Sequence, residues 1–380
     1  MSSFNQGQAI PQWPQSTLKI TEALFRELML HVERSGGFDD MYLAEDSPLM
    51  VKAGGRMYTV VGRALGNDEM QVITKRIFSD SGVAELMQGI DIDDAFEVND
   101  KDNRKRYRYR VNAKTARTAR KSAGIHIVIR SINTTPAKLE ELGIGTDIVK
   151  GMFPKQGMVL VVGETGSGKS TLLSAAIAEY VSVLEDDKVI QTYESPIENT
   201  YDKVNKRNNI IWQHAIPRNI KGGFSRGVRN ALRCGPDIIL IGEMRDPETI
   251  EAGIRASMTG HLLLSTAHAN SVVETVRRLA NNFSGDMRVA RLREIVANLR
   301  LVIVQFLAPK IGGGRVPIRE HFFFDQETRS ELLAYDPEVM LSELDKRVRA
   351  SGNTMLADAR AKFDGGYITR DTLDNIEAGV

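Results

Sequence analysis

From Thr17 to Val32 the apolar residues Leu18, Leu24, Phe25, Leu28, Met29 and Val32 recur at roughly helical spacing, and Thr21 is placed to cap the helix they predict. Short alternating runs follow at Met41 to Leu43, Leu49 to Ala53 and Met57 to Val61. Gly54-Gly55 breaks the last two, as a hairpin in an antiparallel sheet requires. A helical pattern from Asn67 to Phe78 and two further strands, Ala95 to Val98 and Arg106 to Val111, complete an α+β unit. Periodicity is then lost at Ser131-Ile132-Asn133-Thr134-Thr135-Pro136, which carries turn chemistry. Beyond it the short apolar strands Met158 to Val162, Val189 to Tyr193, Ile238 to Ile241 and Leu262 to Ser265 alternate with helical segments. That order marks a largely parallel sheet covered by helices. After about Gly314 the pattern turns mostly helical, through Leu341 to Ala350 and Met355 to Phe363.

These patterns predict a flexible tail over 1–16, a first domain over 17–130, a linker over 131–146 and a second domain over 147–380 that includes the C-terminal helices. A chain of 380 residues suits two cores better than one. With 50 Lys and Arg against 49 Asp and Glu, no global field draws the chain to nucleic acid or an anionic membrane, so such a contact would need a local patch. The lone Cys234 closes off an internal disulfide and a cysteine-ligated zinc site, and it is expected to be a small buried filler beside a strand. The apolar stretches Met158 to Val162 and Leu301 to Leu307 fall far short of the roughly 20 residues that cross a bilayer. Met1 to Gln15 lacks the basic and apolar regions of a secretory signal, so the expected location is the cytoplasm.

The strongest chemical signal is Gly163-Glu164-Thr165-Gly166-Ser167-Gly168-Lys169-Ser170, followed by Thr171. It lies directly after the strand ending at Val162 and opens a helix. Spacing and context fit the Walker A loop. Its glycines let the backbone fold around an anion, the loop N–H groups and the helix N-terminus supply positive potential, Lys169 neutralises the β- and γ-phosphates of ATP, and Ser170 coordinates Mg²⁺.

A second signal is Asp237 to Glu243, a buried strand delivering an acid to the carboxyl edge of the sheet. Gly242 stands where generic P-loop enzymes carry Asp, so Glu243 is read as polarising the attacking water rather than as ligating Mg²⁺. The alternative is a solvated acid at a strand end. Tyr193-Glu194-Ser195-Pro196-Ile197-Glu198 puts two more carboxylates just past a strand, where they could hold Mg²⁺ through water or orient the nucleophile, or be an ordinary charged turn. His261 and His268 bracket the strand Leu262 to Ser265. Either could report the γ-phosphate, or merely satisfy local backbone. Lastly, Arg106, Arg108 and Arg110 share one face of a strand within a basic run that continues through Arg117, Arg120, Lys121 and Arg130. Arginine fingers, a nucleic-acid surface and a solvated face all remain open for it.

The order of these motifs, with Arg108 to Asn112 upstream and Glu274 to Leu279 downstream, resembles the secretion ATPase superfamily of type II and type IV secretion and type IV pili over roughly residues 20 to 310. The resemblance implies a RecA-like P-loop ATPase domain preceded by a PAS-like α+β domain, a homohexameric ring, and ATP bound between the domains. It implies Glu243 as general base, Glu194 and Glu198 organising Mg²⁺ and water, His268 at the γ-phosphate, and Arg108, Arg110 and Arg130 closing over nucleotide. Ser195 stands where the family box carries an acid. The Ala-Ile-Arg-Asn segment of retraction motors is not found after Asp325, and one cysteine cannot build the metal subdomain of many extension and type II motors. Both absences point away from pili. The chain resembles instead the type IVB and conjugative branch, and that resemblance implies partners in a type IV secretion or conjugation machine at the cytoplasmic face of the inner membrane, without direct nucleic-acid binding. A DNA-translocating ATPase of the same fold, a pilus retraction motor and a nucleotide-gated scaffold are the competing readings.

Overall fold

The structure, a computed structural model, describes residues 10–132 and 135–379. The chain divides into two compact units, 1–134 and 135–380.

The first unit begins with α1 (Glu22–Arg34), which Thr21 caps by accepting the N–H of Leu24. Phe25, Leu28, Met29 and Val32 form its buried stripe, at the spacing an amphipathic helix requires. Then come β1 (Asp40–Ala44), β2 (Leu49–Ala53), β3 (Arg56–Val61), α2 (Asn67–Phe78), α3 (Ser81–Met87), β4 (Ile92–Asp100), β5 (Lys105–Ala116) and β6 (Gly124–Ile132). The strands form one antiparallel sheet in the order β3-β2-β1-β6-β5-β4. Gly54 and Gly55, both at positive φ, turn β2 into β3.

Three findings correct the sequence reading of this unit. β6 was not predicted, yet it joins β1 to β5 at the centre of the sheet. Its alternation of buried Ile125, Ile127 and Ile129 with outward residues lay inside what reads as a basic run. Ser131 and Ile132, expected in the linker, end this strand, while Asn133 and Thr134 lie outside the described residues. In the expected tail, residues 1–9 also lie outside, but Ile10 and Trp13 are buried in the core and the Trp13 N–H donates to the Val60 carbonyl. The 10–16 segment is therefore docked.

The second unit runs α4 (Thr146–Gly151), β7 (Gly157–Val162), α5 (Lys169–Glu179), β8 (Val189–Glu194), β9 (Ile210–Ala215), α6 (Gly223–Ala231), β10 (Ile238–Ile241), α7 (Pro247–Met258), β11 (Leu262–Ala267), α8 (Val272–Asn281), α9 (Gly285–Asn298), β12 (Leu299–Pro309), β13 (Arg315–Phe323), α10 (Gln326–Leu333), α11 (Pro337–Ala350), α12 (Met355–Asp364) and α13 (Arg370–Glu377). Its sheet has the order β13-β12-β7-β11-β10-β8-β9, parallel throughout except for the β12–β13 pair. Every residue of β7, β10 and β11 is buried, because helices cover both faces of a parallel sheet.

β9 was missed by the sequence reading, and β13 occupies a segment expected to be mostly helical. Pro317 is accommodated in β13 because this is an edge strand. α10 and α11 bury Leu332, Met340, Leu341, Leu344 and Val348 in one face of the core, so these helices are part of the domain body. Cys234, expected to be buried, is exposed just beyond the end of α6, where the chain leaves the core. Among the described residues no helix is long and apolar enough to cross a membrane.

Candidate functional site

Four parallel strands that are neighbours in the sheet, β7, β11, β10 and β8, end together, with Val162 paired to Ala267 and Ile241 paired to both Ser265 and Tyr193. The chemical residues follow at those ends, at the carboxyl edge where sheets of this kind bind ligands.

After Val162 the chain folds tightly through Gly163, Gly166 and Gly168, all at positive φ, before α5 starts at Lys169. Gly163 tolerates nothing larger: a Cβ there would lie 2.2 Å from the Gln305 carbonyl oxygen and 2.8 Å from Ser167 Oγ. Lys169 Nζ donates to the carbonyls of Gly163 (2.8 Å) and Glu164 (2.7 Å). Burial lowers the Lys169 pKa, while the charges of Glu243, Glu198 and Glu164 oppose that shift. This coupling brings the acids from β7, β8 and β10 around a single cation. Ser170 and Thr171 stand in the first turn of α5, with Ser170 exposed.

The end of β10 is held by its neighbours. Ser265 Oγ donates to the Ile241 carbonyl and Thr266 Oγ1 to that of Gly242, while the Gly242 N–H donates to Tyr193. These bonds fix the backbone from which Glu243 projects. His268, past the end of β11, places Nε2 3.5 Å from Glu243 Oε1. Arg278, which pairs with Glu274, donates to the His268 carbonyl. Glu194 is held by hydrogen bonds from Thr192 Oγ1 (2.6 Å) and Gln213 Nε2 (3.1 Å). Gln213 lies on β9, which sequence reasoning missed. His261, by contrast, sets Nδ1 against the Ala256 carbonyl and Thr259 Oγ1, and so satisfies the end of α7.

The residues present fit a Mg²⁺-bound nucleoside triphosphate. The loop folds at positive φ through Gly163, Gly166 and Gly168, and Ser167 Oγ is buried there with no protein partner among the described residues. Among the described residues no cluster of three or more His, Cys, Asp or Glu could hold a metal by itself. Mg²⁺ keeps most of its waters and takes few protein ligands beside phosphate oxygens, and Ser170, exposed in the first turn of α5, is placed to be one of them.

Arg108, Arg110 and Arg130 belong to the first unit. Arg110 and Arg130 face one another across β5 and β6. All three are engaged: Arg108 Nε, buried, with Glu97 (2.8 Å), Arg110 with Asp93 (2.5 Å) and Arg130 with Asp40 (2.7 Å). Arg106 shares Glu97. Tyr107 and Tyr109 take the other face of β5, where Tyr109 is core.

The Type II/IV secretion system protein family model matches residues 79–352. The type IV pilus retraction ATPase PilT of Pseudomonas aeruginosa is 33% identical over 284 residues, 75% of this chain and 78% of that protein. The X-ray structure of the Legionella pneumophila ATPase DotB superimposes with a TM-score of 0.90 at 36% identity, covering 98% of this chain and 99% of that one. The pilus retraction motor PilT with bound ADP gives 0.77 at 27% identity over 94% of this chain and 96% of that one. Both the extent of the family match and the PilT alignment place the chain in the type II/IV secretion system protein family, and it is an ATPase of that family.

Proposed function

We propose that this ATPase works as a homohexamer that powers a type IVB or conjugative secretion machine at the inner membrane. The observation that carries the reading is the DotB likeness, which runs over 98% of this chain and 99% of that one and so includes both units. In this reading the loop amides and Lys169 hold the β- and γ-phosphates, exchanging the carbonyl contacts of Lys169 for phosphate oxygens. Glu243 accepts a proton from the water that attacks the γ-phosphorus as the bond to the ADP oxygen breaks. His268, beside Glu243, contacts the γ-phosphate, and Glu194 and Glu198 orient water around the metal. Ser170 would hold Mg²⁺ on the protein side, and the ion would supply positive charge against the phosphate oxygens. Arg108, Arg110 and Arg130 close over nucleotide.

A second reading, a pilus retraction motor, is favoured by the PilT alignment over 75% of the chain. Complementation separates the two. The chain should restore plasmid or protein transfer, and not twitching, to a strain lacking its own motor, and Lys169→Ala should abolish that rescue. Restored twitching without transfer would favour retraction. Light scattering that finds no six-subunit particle, with or without nucleotide, would remove the ring. Turnover stimulated strongly by single-stranded DNA, with a steep salt dependence, would point to a translocase.

A further inference from the structure

We propose that Gln305 and Arg319 are positioning residues that set the P-loop's affinity for nucleotide and tie that affinity to the turn at Leu142 and Gly143. The proposal rests on the P-loop reading above.

Gln305 sits on β12, beside the strand that delivers the loop, and is almost fully buried. Its Nε2 donates to the Ser167 carbonyl at 2.5 Å and its Oε1 accepts from Arg319 Nε at 2.7 Å. Arginine only donates, so the amide has one orientation: oxygen toward Arg319, nitrogen toward the loop. The peptide joining Ser167 to Gly168 is planar and trans, so its C=O and N–H point in opposite directions. Holding the carbonyl against Gln305 therefore turns the Gly168 N–H away from β12. Gly168, at φ +83°, is in the left-handed region that favours glycine, and a Cβ on it would lie 3.0 Å from Gln305 Nε2. The Gly168 N–H has no protein acceptor among the described residues. Gln305 thus aims one of the amides available to a bound phosphate.

Arg319, on β13, fixes Gln305 in turn. It is also buried, and its remaining donors reach carbonyls: Nη2 to Leu142 at 2.8 Å and Nη1 to Gly143 at 3.0 Å. Among the described residues no carboxylate takes a hydrogen bond from its guanidinium, although its backbone N–H donates to Asp358. Burial pulls its pKa down to about 10, against the pull of Asp358, so it stays charged at neutral pH. Leu142 ends a single 3₁₀ turn (Leu139–Leu142) that Gly143 terminates in the left-handed region, leaving both carbonyls turned toward Arg319. A continuous chain of hydrogen bonds therefore links the P-loop backbone to the segment that opens the second unit. If that turn moves, Arg319, Gln305 and the Ser167 peptide lose their common geometry. By linkage, a nucleotide that stiffens the loop stiffens the turn.

The test uses the full chain with Gln305→Leu, Arg319→Met, Arg319→Lys and Gly143→Val, the last straining the turn without touching the sheet. Fluorescent ADP binding with Mg²⁺, KM and kcat for ATP, thermal melting and hydrogen exchange are measured on each. Gln305→Leu should weaken ADP and raise KM about tenfold, with kcat within about threefold, as expected for one misaimed phosphate donor. Arg319→Met and Gly143→Val should shift KM the same way by less, with Arg319→Lys in between. ADP should slow exchange across residues 139–145 in the wild type and not in Gln305→Leu. Wild-type ADP affinity in Gln305→Leu and Gly143→Val, whatever their melting temperatures, would overturn the proposal, as would ADP protection of 139–145 that survives the loss of Gln305. Lys169→Ala is the control: should it bind ADP normally, the P-loop reading fails first.

Discussion

Both units gather charge on a sheet, and they handle it in opposite ways. In the first, Arg106 and Arg108 close on Glu97, Arg110 on Asp93 and Arg130 on Asp40, so each arginine is neutralised by the sheet that carries it. In the second, Lys169 feels three carboxylates, yet its hydrogen bonds go to two backbone carbonyls of its own loop. A carbonyl is easily exchanged for a phosphate oxygen, whereas a paired arginine must first give up a carboxylate. Lys169 is thus ready for an anion as it stands. The arginine row serves a ligand only where that ligand offers more charge than the acids it replaces.

The largest effects should come from the second unit. Glu243→Gln should lower kcat by roughly 10²- to 10⁴-fold, the usual worth of a positioned base, while ADP binds as in the wild type. Steady-state phosphate release and a binding titration check this. If kcat stays near wild type, Glu243 is a solvated strand-end acid and the contrast between the units collapses.

The arginines should then separate by burial. Arg130, more than half exposed, is predicted to cost about 10³-fold in kcat when changed to Ala, the low end of what a transition-state arginine supplies, with little loss of thermal stability. Arg108, buried on the same sheet, should lower kcat as well but, unlike Arg130, also destabilise the fold when truncated, because it leaves packing and a desolvated pair behind. Equal effects of the two on both readouts would mean that the row has one role.

This difference in character explains what was legible in the sequence. The P-loop and Glu243 follow strands whose continuous apolar runs mark them, Glu194 ends β8 and His268 follows β11, strands that are apolar only in part, and the loop's chemistry is written in contiguous residues. β6 was hidden because it follows the basic stretch of Arg117, Arg120 and Lys121 and itself carries Arg130, and β13 because Arg319 and Glu320 are buried in it against the usual pattern. Gln305 and Arg319 depend on partners 138 and more than 170 residues away, which no local periodicity encodes. One signal was present: Gln305 is the polar residue inside the apolar stretch Leu301 to Leu307, and a buried amide in such a strand needs partners.

A smaller effect should distinguish the units by pH. Glu33, at the end of α1, accepts from the Tyr109 hydroxyl at 2.9 Å, and burial raises its pKa from 4.5 to about 7 against the opposing influence of Tyr109 and Lys105. The folded state therefore holds this proton more tightly than the unfolded chain. Its contribution is complete below about pH 4.5 and is lost as pH rises through about 7, amounting to at most roughly 3 kcal/mol. Melting of the first unit should fall between pH 5 and pH 8, and Glu33→Gln, which keeps an acceptor for Tyr109, should flatten the slope. A slope unchanged by that substitution would assign it to other groups.

The smallest effects are at the helix caps, and they too divide the units. Thr21 accepts from Leu24 at 3.3 Å and caps only the first helix of its unit. Asp246 accepts from Thr249 at 2.8 Å and caps α7, three residues beyond Glu243. Each cap changed to Ala should cost about 1 kcal/mol, with the longer, neutral Thr21 contact at the lower end. Only Asp246→Ala should also reach turnover, because the start of α7 and the Met244 N–H bond to Thr266 together fix the chain that leads out of Glu243. Thermal melting alongside kcat decides it: a fall in kcat confined to Asp246→Ala would show that the cap steadies the strand end carrying the base, and unchanged kcat in both would leave Ser265 and Thr266 to hold that strand end by themselves.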